Sequence, residues 1–478
     1  MTPPERRLVG LSAALALGLL VSAVLTDFPS RLLVGTAAAE SPAKPTAEQA
    51  FGPHFMTILT SRDQDQKQAS LDAIKAGWHA GLVPMSLEIM NFMRPGPVRN
   101  QLVNLVASEA GDESKTGRGP NDWYFWLWNQ PVEPPTDYAE FKADLFRNID
   151  PKFERYFRGR QDSARIRLDE IRWGGVKQDG IPPLRNPAML AAGEADYLAD
   201  TDIVFGIEIN GDKRAYPKRI LAWHEMFTDE IGGVGIAGVY CTLCGTVIPF
   251  RTEFEGQQYE LGTSGFLYRS NKLMYDKATQ SLWSTTRGAP VLGPLVDQGI
   301  ELAFESVVTT TWGEWRRRHP STTVLSLETG HSRDYDEGAA YAAYFGTDKL
   351  MFNTPFQDDR LANKQEVLAL RFAAAPDQQL AIDTDFLNQT PVYYDKVGLQ
   401  SLVVLTDKSG ANRVYDPGSV KLMSYDQQDT ALDEQGGQWQ VTEAALIGPN
   451  EQQLKRLPYR RAFWFGWHAA FPETRLVR

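Results

Sequence analysis

The residues best suited to chemistry are two cysteines, Cys241 and Cys244, which lie in the stretch VYCTLCGTVIPF. They are the only cysteines in the chain, and two residues separate them. A pair at this spacing can close a disulfide, cycle as a redox couple or hold a soft metal ion as two thiolates. Because two cysteines cannot supply the disulfide framework of a small secreted fold, we expect their role to be local.

The residues after the cysteines predict the shape of this segment. Gly245 follows at once, and the next residues, TVIPF, combine β-branched side chains with a proline, which makes a poor first helical turn. We therefore predict a strand, a tight turn and a second strand, and not the helix start of thioredoxin-like oxidoreductases. A C-x-x-C-G turn of this kind resembles the knuckles of rubredoxin-like and zinc-ribbon sites.

A metal site needs ligands beyond two thiolates, and the chain has no second C-x-x-C pair. His224 and His319 are candidates of suitable type, with Met274 and Asp276 behind them. Two cysteines with one or two histidines suit zinc, whereas a thioether from Met274 would suit copper(I). The predicted cofactor is therefore copper or zinc, and the predicted metal ligands are Cys241, Cys244, His224, His319 and Met274.

The amino terminus has the pattern of an export signal. Arg6 and Arg7 precede an uncharged apolar run over residues 8–25, and small residues at 37–39 offer a cleavage site. The run is also about long enough to cross a bilayer, so residues 1–39 are predicted to be a signal peptide or a membrane anchor. Both predictions place the rest of the chain outside the cytoplasm, either in the periplasm or attached to the membrane and facing outward.

The composition argues against a nucleic-acid partner. The net charge is -11 at pH 7, whereas phosphate binding needs clustered positive charge. Hydrophobic residues make up 42% of the chain, which is enough for ordinary cores in two or three units. The sequence contains no Gly-rich phosphate loop, nucleophile elbow or His-Glu-x-x-His helix, so no motif indicates a reaction.

A predicted linker, residues 40–50, leads into a predicted helical region, residues 51–172. Apolar residues recur there at three- and four-residue spacing and are punctuated by prolines. The aromatic run WYFWLW at residues 123–128 is predicted to pack between helices, because aromatic side chains dominate cores. This helical region is also the part through which we expect a protein partner to bind.

The sequence after residue 172 predicts strands separated by turns. The Asn-Gly pair at residues 210–211 predicts a two-residue hairpin. Pro217 is predicted to begin a helix that runs to the Gly-Gly pair at residues 232–233. His224 would then lie on the apolar face of that helix, beside Ile220, Phe227 and Ile231.

Two similar halves predict a tandem duplication of a β-rich unit, with copy one at residues 173–341 and copy two at residues 342–478. The stretch LWSTTRGAPVLGPL…TWGEWRRRHPSTTVLS is echoed by QWQVTEAALIGPN…FWFGWHAAFPETRLV. Each copy is predicted to close with a short helix that stops before a proline. The predicted corresponding pairs are Trp283 and Trp439, Trp312 and Trp464, Trp315 and Trp467, and Met274 and Met423.

The duplication separates the predicted scaffold from the predicted site. The tryptophans and the Gly-Pro turns occur in both copies, so we expect them to serve packing. The two cysteines, His224 and His319 occur only in copy one, and we therefore predict that they form one functional site there. The residues at the matching positions of copy two are Thr406, Ser409, Thr390 and Phe471.

Four stretches together resemble the bacterial exported proteins grouped as domain of unknown function 3179: AYPKRILAWHEMFTDEIGG, VYCTLCGTVIPF, GTSGFLYRSNKLMYDKATQSLWS and WRRRHPSTTVL. The resemblance covers about residues 179–478. The central motif of that family usually is C-P-L-C-G, and this chain has Thr242 where proline is common. The resemblance implies that His224, Cys241 and Cys244 are important, and it implies no known reaction.

The sequence thus predicts an α+β protein, with an N-terminal helical region followed by a β-rich, internally duplicated domain. The preferred function is binding of a soft transition metal, copper(I) ahead of zinc, through the C-x-x-C-G knuckle and histidine. One alternative is a thiol-disulfide oxidoreductase that uses Cys241 and Cys244. Another is a non-catalytic envelope scaffold in which the cysteine pair pins a turn. The sequence does not decide whether the protein is an enzyme, nor its oligomeric state.

Overall fold

A computed structural model describes residues 50–111 and 120–478. The predicted signal peptide or anchor, residues 1–39, lies outside these residues. The described part of the chain contains no helix that is long and apolar enough to cross a membrane. The predicted N-terminal helices are confirmed, and they are α1 (Gly52–Thr60), α2 (Gln64–Ala76), α3 (Val83–Met90), α4 (Pro97–Ala110), α5 (Pro120–Trp128), α6 (Tyr138–Phe146) and α7 (Glu154–Phe157).

The ends of these helices follow from capping residues. Asp63 caps α2, because its side chain accepts hydrogen bonds from the amides of Asp65 and Gln66. Pro97 begins α4. Proline lacks an N–H, but an N–H at this first position would have no acceptor within the helix, so no helical hydrogen bond is lost. Gly111 ends α4 with φ 63°, a left-handed conformation in which glycine is favoured.

The first half of the β-rich part contains three main sheets and a short ribbon. The sheet orders are β15-β4-β5-β16-β3, β2-β6-β7-β8 and β1-β11-β12-β13-β14, and β9 pairs with β10. The elements are β1 (Ile171–Trp173), β2 (Leu184–Arg185), β3 (Met189–Ala191), β4 (Ile203–Ile209), β5 (Asp212–Pro217), α8 (Lys218–His224), β6 (Met226–Ile231), β7 (Val234–Cys241), β8 (Thr246–Arg251), β9 (Glu253–Phe254), β10 (Gln257–Gln258), β11 (Leu261–Tyr268), β12 (Asn271–Asp276), β13 (Leu282–Ser284), β14 (Ala289–Leu292), β15 (Val308–Thr311), α9 (Trp312–Arg318) and β16 (Thr323–Leu325).

A connecting segment, residues 326–365, leads to the second half, which contains three further sheets. Their orders are β27-β17-β18-β28, β19-β20-β21 and β22-β23-β24-β25-β26. The elements are α10 (Ala342–Phe345) in the connecting segment, then β17 (Glu366–Arg371), β18 (Gln379–Asp383), α11 (Thr384–Gln389), β19 (Val392–Val397), β20 (Gln400–Thr406), β21 (Asn412–Tyr415), β22 (Leu422–Tyr425), β23 (Thr430–Asp433), β24 (Gln438–Val441), β25 (Ala445–Ile447), β26 (Gln453–Lys455), β27 (Arg460–Phe463), α12 (Trp464–Ala470) and β28 (Arg475–Val477).

The two halves each contain one sheet of the same topology. In β15-β4-β5-β16 and in β27-β17-β18-β28, the first two strand pairs are antiparallel and the third is parallel. A short helix, α9 or α12, joins the outer strands in each case. The indole N–H of Trp315 donates to Thr322 Oγ1 at 2.9 Å, and that of Trp467 donates to Thr474 Oγ1 at 3.0 Å.

Met274 and Met423 do not occupy corresponding positions in the two halves, contrary to the prediction. Met274 lies on β12, opposite Trp283, whereas the residue opposite Trp439 on the corresponding strand is Ala431. Met423 lies one strand earlier, on β22, and is 60% exposed. The shared letters KLM therefore fall on different strands of the two meanders.

The helix predicted from Pro217 to residues 232–233 is wrong in length. It ends at His224, because Glu225 takes a left-handed conformation with φ 55°. The following residues form β6, which pairs along its whole length with β7. The Gly-Gly pair makes the turn of that hairpin, just as the Asn-Gly pair at residues 210–211 makes the predicted turn between β4 and β5.

The aromatic run of α5 packs inward, as predicted, and Trp123, Tyr124 and Leu127 are fully buried. Phe266 of β11 belongs to the same core, and the centroid of its ring lies 5.0 Å from that of Phe146. The helices and the sheet that contains β11 therefore share one hydrophobic core.

Candidate functional site

A two-stranded hairpin carries both cysteines. Strand β7 ends at Cys241, β8 begins at Thr246, and these two residues lie opposite each other. The amide of Cys244 donates to the carbonyl oxygen of Cys241 at 3.2 Å. Gly245 has φ 62°, which suits glycine because it lacks a Cβ atom. The predicted strand, tight turn and strand are confirmed.

Cys241 and Cys244 are joined by a disulfide, with their Cα atoms 5.3 Å apart. Both residues are buried, with 3% and 1% of their surfaces exposed. Sγ of Cys244 lies 3.4 Å from the carbonyl oxygen of Ser270, which can accept from a thiol once the pair is reduced. Because the sulfurs are bonded to each other, neither is a thiolate in this oxidation state.

Cys241 lines a small cavity beside the hairpin, whereas Cys244 does not. The cavity has a volume of about 60 Å³, which is room for about two water molecules. Its lining is mostly apolar. The polar side chains that reach it are those of Glu225, Thr242, Thr263, Lys272 and Tyr341.

Glu225 is the charged centre of this cavity. Its Oε1 accepts from the hydroxyls of Thr242 at 2.8 Å and Tyr341 at 3.0 Å, and its Oε2 lies 2.5 Å from Nζ of Lys272. The ammonium and the carboxylate thus form a buried ion pair. Burial raises the pKa of Tyr341, and the charge of Glu225 raises it further. The phenol therefore stays protonated and donates to Glu225.

His224 directly precedes Glu225 but does not line this cavity, and its ring is engaged with other groups. It is fully buried, with Nδ1 2.8 Å from the carbonyl oxygen of Pro182 and Nε2 2.6 Å from the hydroxyl of Tyr335. A carbonyl only accepts, so Nδ1 carries the proton and Nε2 accepts from Tyr335. Burial lowers the pKa of His224, and the charges of His331 and Arg333 lower it further, although the bond to Pro182 opposes them.

The structure does not bring His319 or Met274 to the cysteines. His319 follows α9, with Nε2 3.5 Å from Oε1 of Glu443, and it lines a different cavity. Met274 is fully buried on β12, in an apolar cluster with Trp283 that contains neither cysteine. Asp276 accepts from the indole of Trp283 at 3.2 Å, so its contacts are those of a scaffold residue.

The predicted copper or zinc site stays a prediction. In the described ranges, 50–111 and 120–478, no three or more His, Cys, Asp or Glu side chains are grouped so that they could hold a metal ion. Reduction would supply two thiolates, which are ligands that zinc accepts, and of the two cysteines only Cys241 lines the same cavity as Glu225. Glu225, however, already neutralises Lys272.

The connecting segment covers the outer side of the cysteine turn. The hydroxyl of Tyr344 donates to the carbonyl oxygen of Leu243 at 2.8 Å. Phe345 and Phe352 pack in the same apolar cluster as both cysteines. Met351 lines the cavity and is also 55% exposed. This segment therefore forms a wall between Cys241 and solvent.

The sequence interpretation did not find Glu225, Lys272 or Tyr341. Glu225 directly follows a predicted site histidine, which is a local signal. Its residue type alone does not distinguish it, because the chain has 60 acidic residues. Lys272 comes from β12, and Tyr341 comes from the connecting segment. Their convergence depends on tertiary packing, which no local pattern in the sequence encodes.

Comparison with known proteins gives a family and no activity. No curated protein and no solved structure matches the chain. A family model does match, over residues 178–474, which is more than half of the chain and includes the disulfide with Glu225 and Lys272. This match agrees with the boundary near residue 179 that the sequence motifs suggested. The chain therefore belongs to the family described as protein of unknown function DUF3179.

Proposed function

We propose that this protein is a thiol-disulfide oxidoreductase whose redox centre is the disulfide between Cys241 and Cys244. The observation that supports it is the position of Cys241, which shares a cavity with the buried ion pair of Glu225 and Lys272. A disulfide that only pins a turn needs no acid and base beside it. Ionisable groups buried next to a reactive atom are typical of functional sites.

The exchange follows the chemistry of disulfides. A thiolate of a partner dithiol attacks Sγ of Cys241, the bond between the two sulfurs breaks, and Cys244 leaves as a thiolate. The second thiol of the partner then attacks its own sulfur in the mixed disulfide and releases Cys241. The partner is oxidised to a disulfide, and the cysteine pair takes up two electrons and two protons.

In this scheme, the ion pair of Glu225 and Lys272 stabilises the thiolate and supplies a proton. The ammonium of Lys272 favours the thiolate form of Cys241, because a nearby cation lowers a thiol pKa. Glu225 and Lys272 together hold a proton that can pass to Sγ of Cys241 when the mixed disulfide is resolved, since these three residues line the same cavity. Thr242 and Tyr341 orient the carboxylate by donating to Oε1.

Metal binding by the reduced pair is the second candidate. The observation that favours it is the knuckle, in which Gly245 has φ 62° and the amide of Cys244 folds back to Cys241. Such turns can direct two thiolates to one ion. In this proposal, zinc or copper(I) binds only after the disulfide has been reduced.

Export and duplication complete the proposal. An oxidising compartment maintains disulfides, so a periplasmic or outward-facing location suits a protein that works through one. We also infer that the two halves arose by tandem duplication, since one sheet of each half has the same strand order and orientation. Copy two would then supply scaffold, because Thr406 and Ser409 stand where copy one has cysteines.

The decisive experiment is a redox titration of the purified protein in dithiothreitol buffers, followed by thiol counting. A functional couple should reduce reversibly, at a potential above about -300 mV, whereas structural disulfides in secreted proteins typically lie below it. An inert pair, or one that reduces only with unfolding, would contradict the proposal and favour the scaffold alternative. Adding Zn²⁺ or copper(I) to the reduced protein tests the second candidate by elemental analysis.

Matched serine variants test which sulfur is attacked. In Cys244→Ser, the remaining Cys241 faces the cavity and should form a mixed disulfide with hydroxyethyl disulfide. In Cys241→Ser, the remaining Cys244 lies behind the turn. Its reaction should be slower by a factor of about ten or more, because exchange depends on access. Mass spectrometry after timed quenching measures both rates. Equal rates would show that the cavity does not direct the exchange.

A further inference from the structure

An open groove adjoins the cavity of Cys241. Its volume is about 550 Å³, which is in the range of sites that hold a ligand. It is lined by residues 180–182, by the end of α8, and by residues 332–334 and 339–341 of the connecting segment. We call it the α8 groove. Ile181 and Tyr341 line both this groove and the cavity of Cys241, so these two residues form the partition between the two spaces.

Tyr341 is held in this partition by one hydrogen bond and an uncommon backbone conformation. Its side chain is half-buried, and its hydroxyl donates to Oε1 of Glu225 at 3.0 Å. Tyr341 has φ 59° and Glu225 has φ 55°, so the bond joins two residues in a left-handed conformation that bulky residues rarely adopt. Backbone strain of this kind is concentrated at active sites and switch regions.

The chain around Tyr341 is attached to the site by its side chains and not by a sheet. Residues 327–341 contain no helix or strand, and none of residues 327–343 is buried. Three tyrosine hydroxyls hold this segment: Tyr335 donates to Nε2 of His224, Tyr341 to Glu225, and Tyr344 to the carbonyl oxygen of Leu243. Segments with few buried contacts open at a low cost in free energy. Tyr341 can therefore leave Glu225 while the sheets stay folded.

The small cavity limits what can reach the disulfide. Cys241 is 3% exposed, and its cavity of about 60 Å³ has room for about two water molecules. A thiol and the methylene group that carries it fill such a space, so the rest of a partner has to stay outside. The α8 groove is the larger space on the other side of Tyr341, and it can hold that remainder.

We propose that Tyr341 is the gate of the redox centre, and that a partner thiol enters from the α8 groove when the ring of Tyr341 moves away from Glu225. This inference rests on the proposed function, because it assigns the route by which the partner reaches Sγ of Cys241. The gate selects thiols on a narrow stem, such as the side chain of a cysteine. In the closed position, Tyr341 shields Cys241 from other thiols, since exchange depends on access.

Rates of mixed-disulfide formation by Cys241 test the gate. They are measured on the full chain carrying Cys244→Ser, in which Cys241 is the only cysteine left. The probes are hydroxyethyl disulfide and the bulkier oxidised glutathione. Adding Tyr341→Ala removes the ring and should raise the rate with oxidised glutathione about tenfold, and the rate with hydroxyethyl disulfide by less. The substitution changes no formal charge at neutral pH, so a change in the ratio of the two rates reports on space.

Two phenylalanine variants form a matched pair that keeps the test valid if Tyr341→Ala fails to fold. Tyr341→Phe and Tyr344→Phe each remove one hydroxyl bond of the same segment, but Tyr344 lines neither the groove nor the cavity. Tyr341→Phe should raise both rates about threefold or more, because the bond that holds the gate closed is lost. Tyr344→Phe should leave them unchanged. Equal effects of the two variants overturn the proposal.

A further variant tests the other side of the cavity. Met351 lines the cavity but not the groove and is 55% exposed. A larger rate increase from Met351→Ala than from Tyr341→Phe would place the entrance there and overturn the gate. These rates come from one free thiol and do not depend on the potential of the disulfide. A pair that reduces only with unfolding would therefore contradict the proposed function alone, whereas rates that ignore Tyr341 would contradict the gate alone.

Discussion

His224 and Glu225 are neighbours in the chain, yet their side chains reach different partners. Glu225 has φ 55°, and this turn directs its carboxylate to Lys272 while the imidazole of His224 contacts Pro182 and Tyr335. A left-handed conformation costs a non-glycine residue about 1–2 kcal/mol. The buried hydrogen bonds on both sides of the turn offset that cost. At the residue scale, His224 therefore acts as a neutral support that fixes the position of Glu225.

The neutral state of His224 makes the stability of the protein depend on pH. Its folded-state pKa lies below the usual value of 6.5, so the unfolded chain binds a proton first as the pH falls. Stability should then be lost as the pH falls below about 6.5, by about 1.4 kcal/mol per unit of pKa difference. The His224→Gln variant should lose less stability between pH 7.5 and pH 5.5, as measured by urea unfolding at both pH values.

A matched histidine variant controls for general effects of acid. His54→Gln lies in α1, remote in sequence from this site, and should keep the pH dependence of the unchanged protein. Burial also lowers the pKa of His468, so His224→Gln should reduce the pH dependence and not abolish it. If the two variants show the same loss of stability in acid, the neutral imidazole of His224 is not its source.

At the scale of elements, the sequence predicted what local turn chemistry decides. The Asn-Gly pair at residues 210–211 and the C-x-x-C-G segment both turn where predicted, because glycine alone meets the backbone requirement cheaply. Residues 226–231 were predicted as helix, since their apolar spacing also fits a helical face. These residues form a strand instead, because Glu225 ends the preceding helix in a left-handed conformation and residues 226–231 pair with β7. Long-range pairing is a tertiary effect, and it outweighed the local pattern.

The same limit applies to the candidate site. Both cysteines could be found from residue type and spacing, and His224 from its place among apolar residues. The carboxylate beside them and its partner Lys272 could not, because β12 approaches α8 only in the folded sheet arrangement. His319 was assigned to the wrong neighbourhood by the assumption that residues unique to one half share a site, whereas it contacts Glu443.

The cysteine turn requires glycine at position 245 because of its backbone conformation and because a side chain there would contact Phe463. Substitutions at Gly245 and Gly211 can separate these two effects. A Cβ atom at Gly245 would lie 2.8 Å from the ring of Phe463, and the residue has φ 62°. Gly211 also has a positive φ, 86°, but a Cβ atom there meets nothing within 4 Å. Gly211→Ala should cost about 1–2 kcal/mol from backbone strain alone. Gly245→Ala should cost about 1–3 kcal/mol more, from overpacking. Denaturant unfolding measures both, and equal costs would show that Phe463 moves aside freely.

At the scale of the whole molecule, the helical part and the first half are joined through one core. The ring of Phe266 on β11 has its centroid 4.8 Å from that of Phe153, 5.0 Å from that of Phe146 and 5.3 Å from that of Phe157. The described residues, 50–111 and 120–478, belong to one compact unit. Apolar burial across this junction is large, so the helices and the sheet should unfold in one cooperative transition.

Phe266→Ala tests that coupling. Removing the ring should cost about 3–5 kcal/mol, and it should separate the unfolding of the helices from that of the sheets, because the lost contacts join them. Hydrogen exchange should then show faster opening of α3 to α7 than of β4 and β5, whereas the unchanged protein opens both together. Phe250→Ala is the control, since Phe250 is equally buried in a cluster that contains no helical residue. It should lower global stability by a similar amount and leave the opening of helices and strands coupled. Coupled opening in both variants would mean that the helices are held to the sheets by contacts other than those of Phe266.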